Sequence, residues 1–170
     1  MKIQEGELLF DFDGTQLVNK LDEQGHASPV GMRLVDFVIE EEERVLIVEV
    51  KDVSANQIPA HLKESKRKQE IKKFKSSELI HKELVPKARD SYCYLHLMER
   101  DAKPFDFVFL TTIDSLGIDK ELLINFNDRL KARLRKEADE EWKRRYVRNC
   151  AVLTVETWNS QFSACHVERV

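Results

Sequence analysis

One segment, residues 32–53, constrains the fold of this chain more than any other. Two apolar runs flank a short acidic stretch, which is the pattern of a β-hairpin. Both runs are apolar at successive positions, so each strand is expected to be covered on both faces of a sheet. Three ionisable residues interrupt them, namely Asp36, Glu49 and Lys51. A buried charge is costly unless it is paired or binds a ligand, so these three residues require an explanation.

The length of the turn sets the register of the two strands. If residues 41–44 form the loop, Asp36 lies opposite Glu49, with Cβ atoms about 5 Å apart. Facing carboxylates repel each other unless a cation lies between them, and Lys51 lies on the same face. Mg²⁺ is typically held by one or two carboxylates, with water and phosphate at the remaining positions. A nearby ammonium can orient a water and stabilise charge on phosphorus, so the pattern predicts a phosphodiester-cleaving metal site.

Asp36, followed by Glu49-Val50-Lys51 on the next strand, resembles the active-site motif of the PD-(D/E)XK nucleases, the restriction-endonuclease-like superfamily. Val35 stands where a proline usually precedes the aspartate. Further segments resemble a bacterial branch of this superfamily: Phe10-Asp11-Phe12, Lys87 to Ser91, and Trp158-Asn159. The resemblance implies a hydrolase of nucleic acid and favours DNA over RNA as the substrate, although the sequence does not distinguish the two. It also implies that Asp36 and Glu49 bind Mg²⁺ or Mn²⁺ and that Lys51 assists the attack of water.

The resemblance also indicates where the substrate backbone would lie. In this superfamily the helix after the Glu-x-Lys motif borders the active site, so Lys87 and Arg89 are expected to contact phosphate. An ion pair within that helix is the alternative, and the sequence leaves both open. Many members carry one more acidic ligand. Glu5, Glu7 or Asp22 could supply it, but no spacing selects among them.

A dense basic run over residues 63–75 is the second candidate for contact with nucleic acid, and we assign Lys66 and Lys73 to this surface. The whole chain has a net charge of −3, yet residues 1–60 carry −8 and residues 61–100 carry +5. An acidic segment beside a basic one suits a metal site flanked by a phosphate-binding surface. A solvated helix face is the commoner origin of such a basic run, so this interpretation stays open as well.

The order of the apolar runs predicts the fold class. The 170 residues are most simply one domain, 1–170. Beside the hairpin, we expect strands at about 6–13, 105–112 and 150–155, and helices at about 57–75, 77–100 and 119–148. Residues 15–31 fit either a helical turn or a loop. A strand, a helix and a strand in the second half predict a right-handed parallel crossover. We therefore expect an α/β fold whose mixed sheet has an antiparallel meander followed by that crossover, with helices on both faces.

Local signals indicate where the helices begin and how the C-terminal segment packs. Ser54 or Asn56 can cap the first helix, and Asp119 is expected to cap the third. Pro86 should kink the second helix or mark the start of a new one. Trp158 and Phe162, four residues apart, could stack on bases, but an aromatic pair at this spacing more often docks a segment onto the core, which is our interpretation.

A second enzymatic interpretation rests on the segment 10–15. Asp11 and Asp13, followed by Gly14 and Thr15, resemble the first motif of haloacid-dehalogenase-type phosphatases, which supplies a nucleophile and a general acid and binds Mg²⁺. The later acidic pair of that family would have to be Asp114 and Asp119. Asp-Gly is also a common turn at the end of a strand. The third interpretation is a non-catalytic nucleic-acid-binding or structural protein with the same fold.

Cysteine content and hydropathy indicate the environment. The three cysteines are odd in number and lack metal-ligand spacing, so we expect reduced thiols in a cytoplasmic protein. No apolar stretch is long enough to span a membrane, and no signal peptide is evident. A membrane is therefore not an expected partner, whereas nucleic acid is the partner that the resemblance implies. A homodimer is an open alternative to a monomer.

Overall fold

A computed structural model describes residues 1–14, 16–22, 29–53 and 58–170. Within these ranges the strands are β1 (Lys2–Glu5), β2 (Leu8–Phe12), β3 (Leu17–Lys20), β4 (Phe37–Glu40), β5 (Val45–Lys51), β6 (Phe105–Thr111), β7 (Asn149–Leu153) and β8 (Cys165–Arg169). The α-helices are α1 (Lys63–Lys75), α2 (Val85–Leu97), α3 (Lys120–Arg135) and α4 (Val155–Gln161).

The centre of the fold is a five-stranded mixed sheet with the order β3-β4-β5-β6-β7. The strands β3, β4 and β5 are antiparallel, whereas β5, β6 and β7 are parallel. Glu40 pairs with Val45 across the tight turn, as the four-residue loop requires. The predicted mixed α/β architecture, with an antiparallel meander followed by a parallel crossover, is therefore confirmed.

The two faces of this sheet are covered by different kinds of structure. Side chains of α1, α2 and α3 pack on one face, where Phe74, Ala88 and Phe126 are fully buried. On the other face lie α4 and a three-stranded antiparallel sheet, ordered β1-β2-β8. The expectation of helices on both faces is therefore wrong for most of the second face. Burial alternates along β2, with Phe10 and its neighbours at i±2 inside, so a sheet supplies the apolar layer there.

The segment that fitted either a helical turn or a loop instead contributes an edge strand. Leu17–Lys20 forms β3, in which Val18 is buried and pairs with Ile39. The spacing of Leu17, Val18 and Leu21 suits a helical turn as well as a strand. The segment forms a strand because it pairs with β4. Residues 15 and 23–28 lie outside the described residues.

The first two helical regions differ in detail from the prediction. α1 begins at Lys63 after a 3₁₀ turn over Ala60–Leu62, and the expected caps Ser54 and Asn56 lie outside the described residues. A π-helical turn, Ile80–Leu84, leads directly into α2. Pro86, in the first turn of α2, lacks an N–H group, and the Lys82 carbonyl accepts a hydrogen bond from Arg33 at 2.6 Å instead. Pro86 therefore lies in the first turn of α2, but the helical run continues into α2 from the π-helical turn without a break, so Pro86 does not begin a separate helix.

The last long helix is shorter than expected. Asp119 caps α3 by accepting a hydrogen bond from the Glu121 N–H, as predicted, but the helix ends at Arg135 and does not continue to residue 148. No large apolar side chain follows Leu134 for a full two turns, so a continued helix would have no face to bury. The irregular segment is instead held by Tyr146 and its neighbour Val147, both of which are buried.

The C-terminal segment packs on the core through its aromatic pair. Trp158 is fully buried, and its indole N–H donates to the Cys165 carbonyl at 3.0 Å. Its ring lies 4.5 Å from that of Phe162 and 5.7 Å from that of Phe10. The predicted role of Trp158 as a core anchor is confirmed, and this side chain is not accessible for stacking on a base.

Candidate functional site

The backbone of β5 holds Asp36 in place. Asp36 immediately precedes β4, and the pairing of Phe37 with Val48 sets it next to Glu49 in the register that the loop length predicted. One carboxylate oxygen, Oδ2, accepts a hydrogen bond from the Val50 N–H at 2.6 Å. Asp36 and Glu49 are only 6% and 7% exposed, so both acids need a cation or a proton.

The cation that lies between these acids comes from α2. The Lys87 ammonium donates to both carboxylate oxygens of Glu49, at 2.7 and 2.9 Å. Its distance to Asp36 Oδ1 is 4.0 Å. Three carboxylate oxygens from two neighbouring strands therefore face one positively charged group. The sequence predicted a cation at this point but placed Lys51 beside the acids, because the spacing along the strand could not reveal a helix 38 residues away.

The electrostatics of the pair follow from its burial. Burial raises the pKa of Asp36 to about 6, although Lys87 and the Val50 N–H act in the opposite direction. Burial and the charge of Asp36 raise the pKa of Glu49 to about 8, and Lys87 offsets only part of this rise. Burial disfavours the charged form of Lys87, but the two acids outweigh burial and keep its pKa above the ordinary value. One ammonium therefore does not fully compensate the two carboxylates.

Lys51 lies at the end of β5, two residues after Glu49 and on the same side of the strand. Its ammonium is 3.3 Å from the carboxylate of Glu83, which belongs to the π-helical turn. The charge of Glu83 also acts on Glu49, so all three groups lie in one region. Lys51 therefore lies at the border of the acid pair, but its ion-pair partner is the exposed Glu83 and not Asp36 or Glu49.

The three candidates for an additional acidic ligand differ in position. The charges of Glu5 and Asp22 reach Asp36, because both contribute to its raised pKa. Glu5 also pairs with Lys20 at 3.1 Å, and Glu7 with Arg169 at 2.6 Å. Within the described ranges, no group of three or more His, Cys, Asp and Glu side chains is arranged to hold a metal ion. Asp36 and Glu49 are therefore the donors from which a metal site would have to be built.

A cleft of about 540 Å³ opens beside Lys51, and Lys66 and Lys73 line it. Both lysines come from α1 and contact one oxygen of Glu70, at 3.2 and 3.0 Å. Glu70 is almost fully buried. Burial opposes its charge, but the two ammonium groups outweigh burial and lower its pKa. The two residues predicted from the basic run therefore lie in the same cleft as the lysine of the Glu-x-Lys motif.

The opposite wall of the cleft is the turn between β1 and β2. Gly6 in this turn has a φ of +60°, and a Cβ atom there would lie 3.2 Å from Asp52. The N–H of the next residue, Glu7, donates to the Asp52 carboxylate at 3.0 Å. A glycine is needed where this turn approaches the end of β5, because a side chain would meet Asp52 in a strained backbone conformation.

Arg89 does not reach the acid pair. Asp90 and Ser91, which the prediction did not assign to the site, instead hold the segment that carries Asp36. Arg89 pairs with Glu137 at 2.6 Å and with its neighbour Asp90 at 3.2 Å. Asp90 accepts a hydrogen bond from the Arg33 N–H, and the buried Ser91 accepts one from the Val35 N–H at 2.9 Å. These contacts fix the segment that carries Asp36. The helical spacing of Lys87, Asp90 and Ser91 was the available signal, because it places them on one stripe.

The remaining sequence motifs lie elsewhere. Asp11 is in the three-stranded sheet and pairs with Lys2 at 3.3 Å, whereas Asp114 follows β6 of the five-stranded sheet.

Cys93, Cys150 and Cys165 are free thiols, and burial raises the pKa of the last two to about 12. In the part of the chain that the structure describes, no helix combines the length and apolarity needed to cross a membrane.

Comparison with known proteins gives no relative. No family model, curated protein or solved structure matches this chain. The geometry of the acid pair and the adjoining cleft therefore carries the functional interpretation.

Proposed function

We propose that this chain is a metal-dependent nuclease with a restriction-endonuclease-like fold. The observation that supports it best is the convergence of the Asp36 and Glu49 carboxylates on a single cation, with Lys51 on the same side of the strand. An antiparallel hairpin that leads into a parallel crossover is also what this superfamily resemblance implies for the core. The function rests on these residues and not on the fold alone, because one fold can host many activities.

The donor set suits a hard divalent cation. Mg²⁺ and Mn²⁺ prefer oxygen ligands, and Mg²⁺ is commonly held by one or two carboxylates together with water and phosphate oxygens. Asp36 Oδ1 and the Glu49 carboxylate would hold it, since Asp36 Oδ2 is already engaged by the Val50 N–H. When bound, such an ion polarises a phosphate and makes a bound water more acidic. Lys51 would orient the attacking water and offset the charge that develops on the phosphate.

The substrate would lie in the cleft beside Lys51. Lys66 and Lys73 would contact phosphates of the backbone next to the one that is cut, because they line this cleft. Recognition of the substrate would then depend on this cleft together with the acid pair. DNA is the preferred substrate class on the superfamily resemblance, and a cytoplasmic location and a homodimer remain predictions.

The test is a cleavage assay with titrated Mg²⁺ and Mn²⁺ on end-labelled duplex DNA, single-stranded DNA, branched DNA and RNA. We expect metal-dependent cleavage that Asp36→Asn and Glu49→Gln each reduce by about 10³-fold or more, since each removes a metal ligand. Asp11→Asn is the matched control, and it should retain full activity. Cleavage that survives in both site variants, or the lack of cleavage in every substrate and metal, would reject the proposal.

The second candidate function is a non-catalytic nucleic-acid-binding protein, and the position of Lys87 favours it. An ammonium held by both oxygens of Glu49 satisfies the buried acids without any metal. Calorimetric titration with Mn²⁺ separates the two candidates. Binding that is abolished in Asp36→Ala supports the nuclease, whereas duplex binding without any metal binding supports this alternative. The phosphatase based on Asp11 and Asp13 would need Asp114 beside them, but Asp11 lies in the three-stranded sheet and Asp114 follows β6 of the five-stranded sheet.

A further inference from the structure

The Lys87 ammonium faces the carboxylate oxygens from which a metal site would be built. Its ammonium is 2.7 and 2.9 Å from the two oxygens of Glu49 and 4.0 Å from Asp36 Oδ1. The second oxygen of Asp36 faces the backbone of β5, so the oxygens that remain for a metal are the ones that already face Lys87. A divalent cation bound to these oxygens would lie close to this ammonium, and like charges at such a distance repel in a partly buried site, so metal binding is disfavoured while Lys87 stays there.

The Lys87 ammonium has a long side chain and is 23% exposed, so it can leave the acid pair without unfolding the helix. Leaving is unfavourable unless the ammonium finds another anion. A phosphate of a bound nucleic acid is such an anion, and lysine binds phosphate as a mobile point charge. The cleft with Lys51, Lys66 and Lys73 lies on the same side of the molecule as the end of β5.

We propose that Lys87 is an internal counter-ion that couples metal binding to nucleic-acid binding. In the free protein it offsets part of the charge of Asp36 and Glu49 and so disfavours the metal. In the complex a substrate phosphate takes the ammonium, and the two carboxylates become available to the metal. This inference rests on the proposed function and adds a property to it: each ligand increases the affinity for the other by the same factor, as linkage requires.

The experiment measures Mn²⁺ affinity by calorimetry with and without a short duplex whose linkages are phosphorothioates. Wild-type protein is compared with Lys87→Met, which keeps the length of the side chain and removes its charge. Lys82→Met is the matched control: Lys82 lies five residues earlier in the same helical region, pairs with the exposed Glu78, and its replacement changes the net charge equally. Lys87→Arg keeps the charge and tests whether the charge alone is sufficient.

For the wild type and Lys82→Met we expect the duplex to increase the Mn²⁺ affinity at least about tenfold. In Lys87→Met, Mn²⁺ should bind more tightly without the duplex, and the increase caused by the duplex should fall at least about tenfold. Lys87→Arg should behave as the wild type. If Lys87 had only a structural role, its replacement would not change the ratio of the Mn²⁺ affinities with and without the duplex. Circular dichroism and a thermal melt report any effect on folding separately.

Two results would overturn the inference, and they have different meanings. If Lys87→Met shows the same increase as the wild type, Lys87 does not couple the ligands, while the nuclease proposal stands on the cleavage assay. If neither the wild type nor Lys87→Met binds Mn²⁺ with or without the duplex, both the inference and the proposed function fail.

Discussion

Replacing Glu49 by glutamine should remove most of the pH dependence of stability that the acid pair causes. The pKa of Glu49 rises from 4.5 to about 8 in the folded protein, mainly because of burial. Between these values the folded state holds a proton that the unfolded state has released, so the free energy of unfolding falls as pH rises. This decrease is complete above about pH 8, and it is absent below the unfolded pKa. Glutamine has no proton to release at this position.

The magnitude follows from the position of the folded pKa. Each pH unit between about 6.5 and 8 removes roughly 1.4 kcal/mol, so the wild type should lose about 2 kcal/mol between pH 6.5 and 9. Most of the titration of Asp36, with a pKa of about 6, occurs below this window. Glu49→Gln should therefore be similar in stability to the wild type at pH 6.5 and more stable than it at pH 9.

Urea unfolding in EDTA at several pH values, followed by circular dichroism, measures this difference. Glu40→Gln is the control, because it makes the same chemical change at the other end of the hairpin, where the carboxylate pairs with Arg100. Equal pH slopes for the wild type and Glu49→Gln would refute the reasoning. A decrease of more than about 3 kcal/mol at pH 7 in Glu49→Gln would instead identify Glu49 as half of a structural ion pair with Lys87.

Three further predictions concern the cleft, the helix α2 and the core. Lys66→Gln combined with Lys73→Gln should lower the log–log salt slope of duplex binding by about 0.9 for each phosphate that the lysines no longer neutralise, whereas the exposed Lys68→Gln should not; fluorescence anisotropy at several salt concentrations measures this. Arg89→Ala should leave that slope unchanged and lower the free energy of unfolding by about 1 kcal/mol or less, because its partners are acids outside the cleft. The same salt titration and a urea melt measure these two effects, and a lower salt slope would contradict the prediction. Trp158→Ala should cost about 3–5 kcal/mol in a urea melt, and a cost below about 1 kcal/mol would contradict its role in the core.

Local patterns predicted the parts of the fold that depend on short-range geometry. The four-residue turn fixed the register of β4 and β5, because the length of the loop determines which residues of the two strands lie opposite each other. Asp119 as a helix cap was also evident, since a cap acts on the backbone within one turn. These features depend little on the rest of the chain.

Tertiary pairing decided what the sequence could not. The segment of β3 has apolar spacing that suits a helical turn, and its hydrogen bonds to β4 make it a strand. The chain after Arg135 has the charges of an exposed helix but no apolar stripe to stabilise one, so the helix ends there. The antiparallel sheet on the second face required β8 to return beside β2, a pairing between the two ends of the chain that no local pattern contains.

The candidate site was predictable in its acids and not in its cation. Asp36 and Glu49 stood out because charges interrupt apolar strands, and their register followed from the loop. Lys51 was assigned from the two-residue period of the strand, and this period gives no information about which side chains of α2 contact the acids. Lys87 was placed only at the border of the site, since its contact with Glu49 depends on how α2 packs on the sheet. The supporting role of Ser91 has the same origin.

The most direct test of the account is a crystal structure of the protein with a phosphorothioate duplex and Mn²⁺, with the metal located by anomalous scattering. We predict an anomalous peak about 2.1–2.2 Å from an oxygen of Asp36 and an oxygen of Glu49, with the Lys87 ammonium moved from the acid pair to a phosphate. A duplex seated in the cleft at saturating Mn²⁺, with no peak at the acids and Lys87 still bound to Glu49, would contradict it.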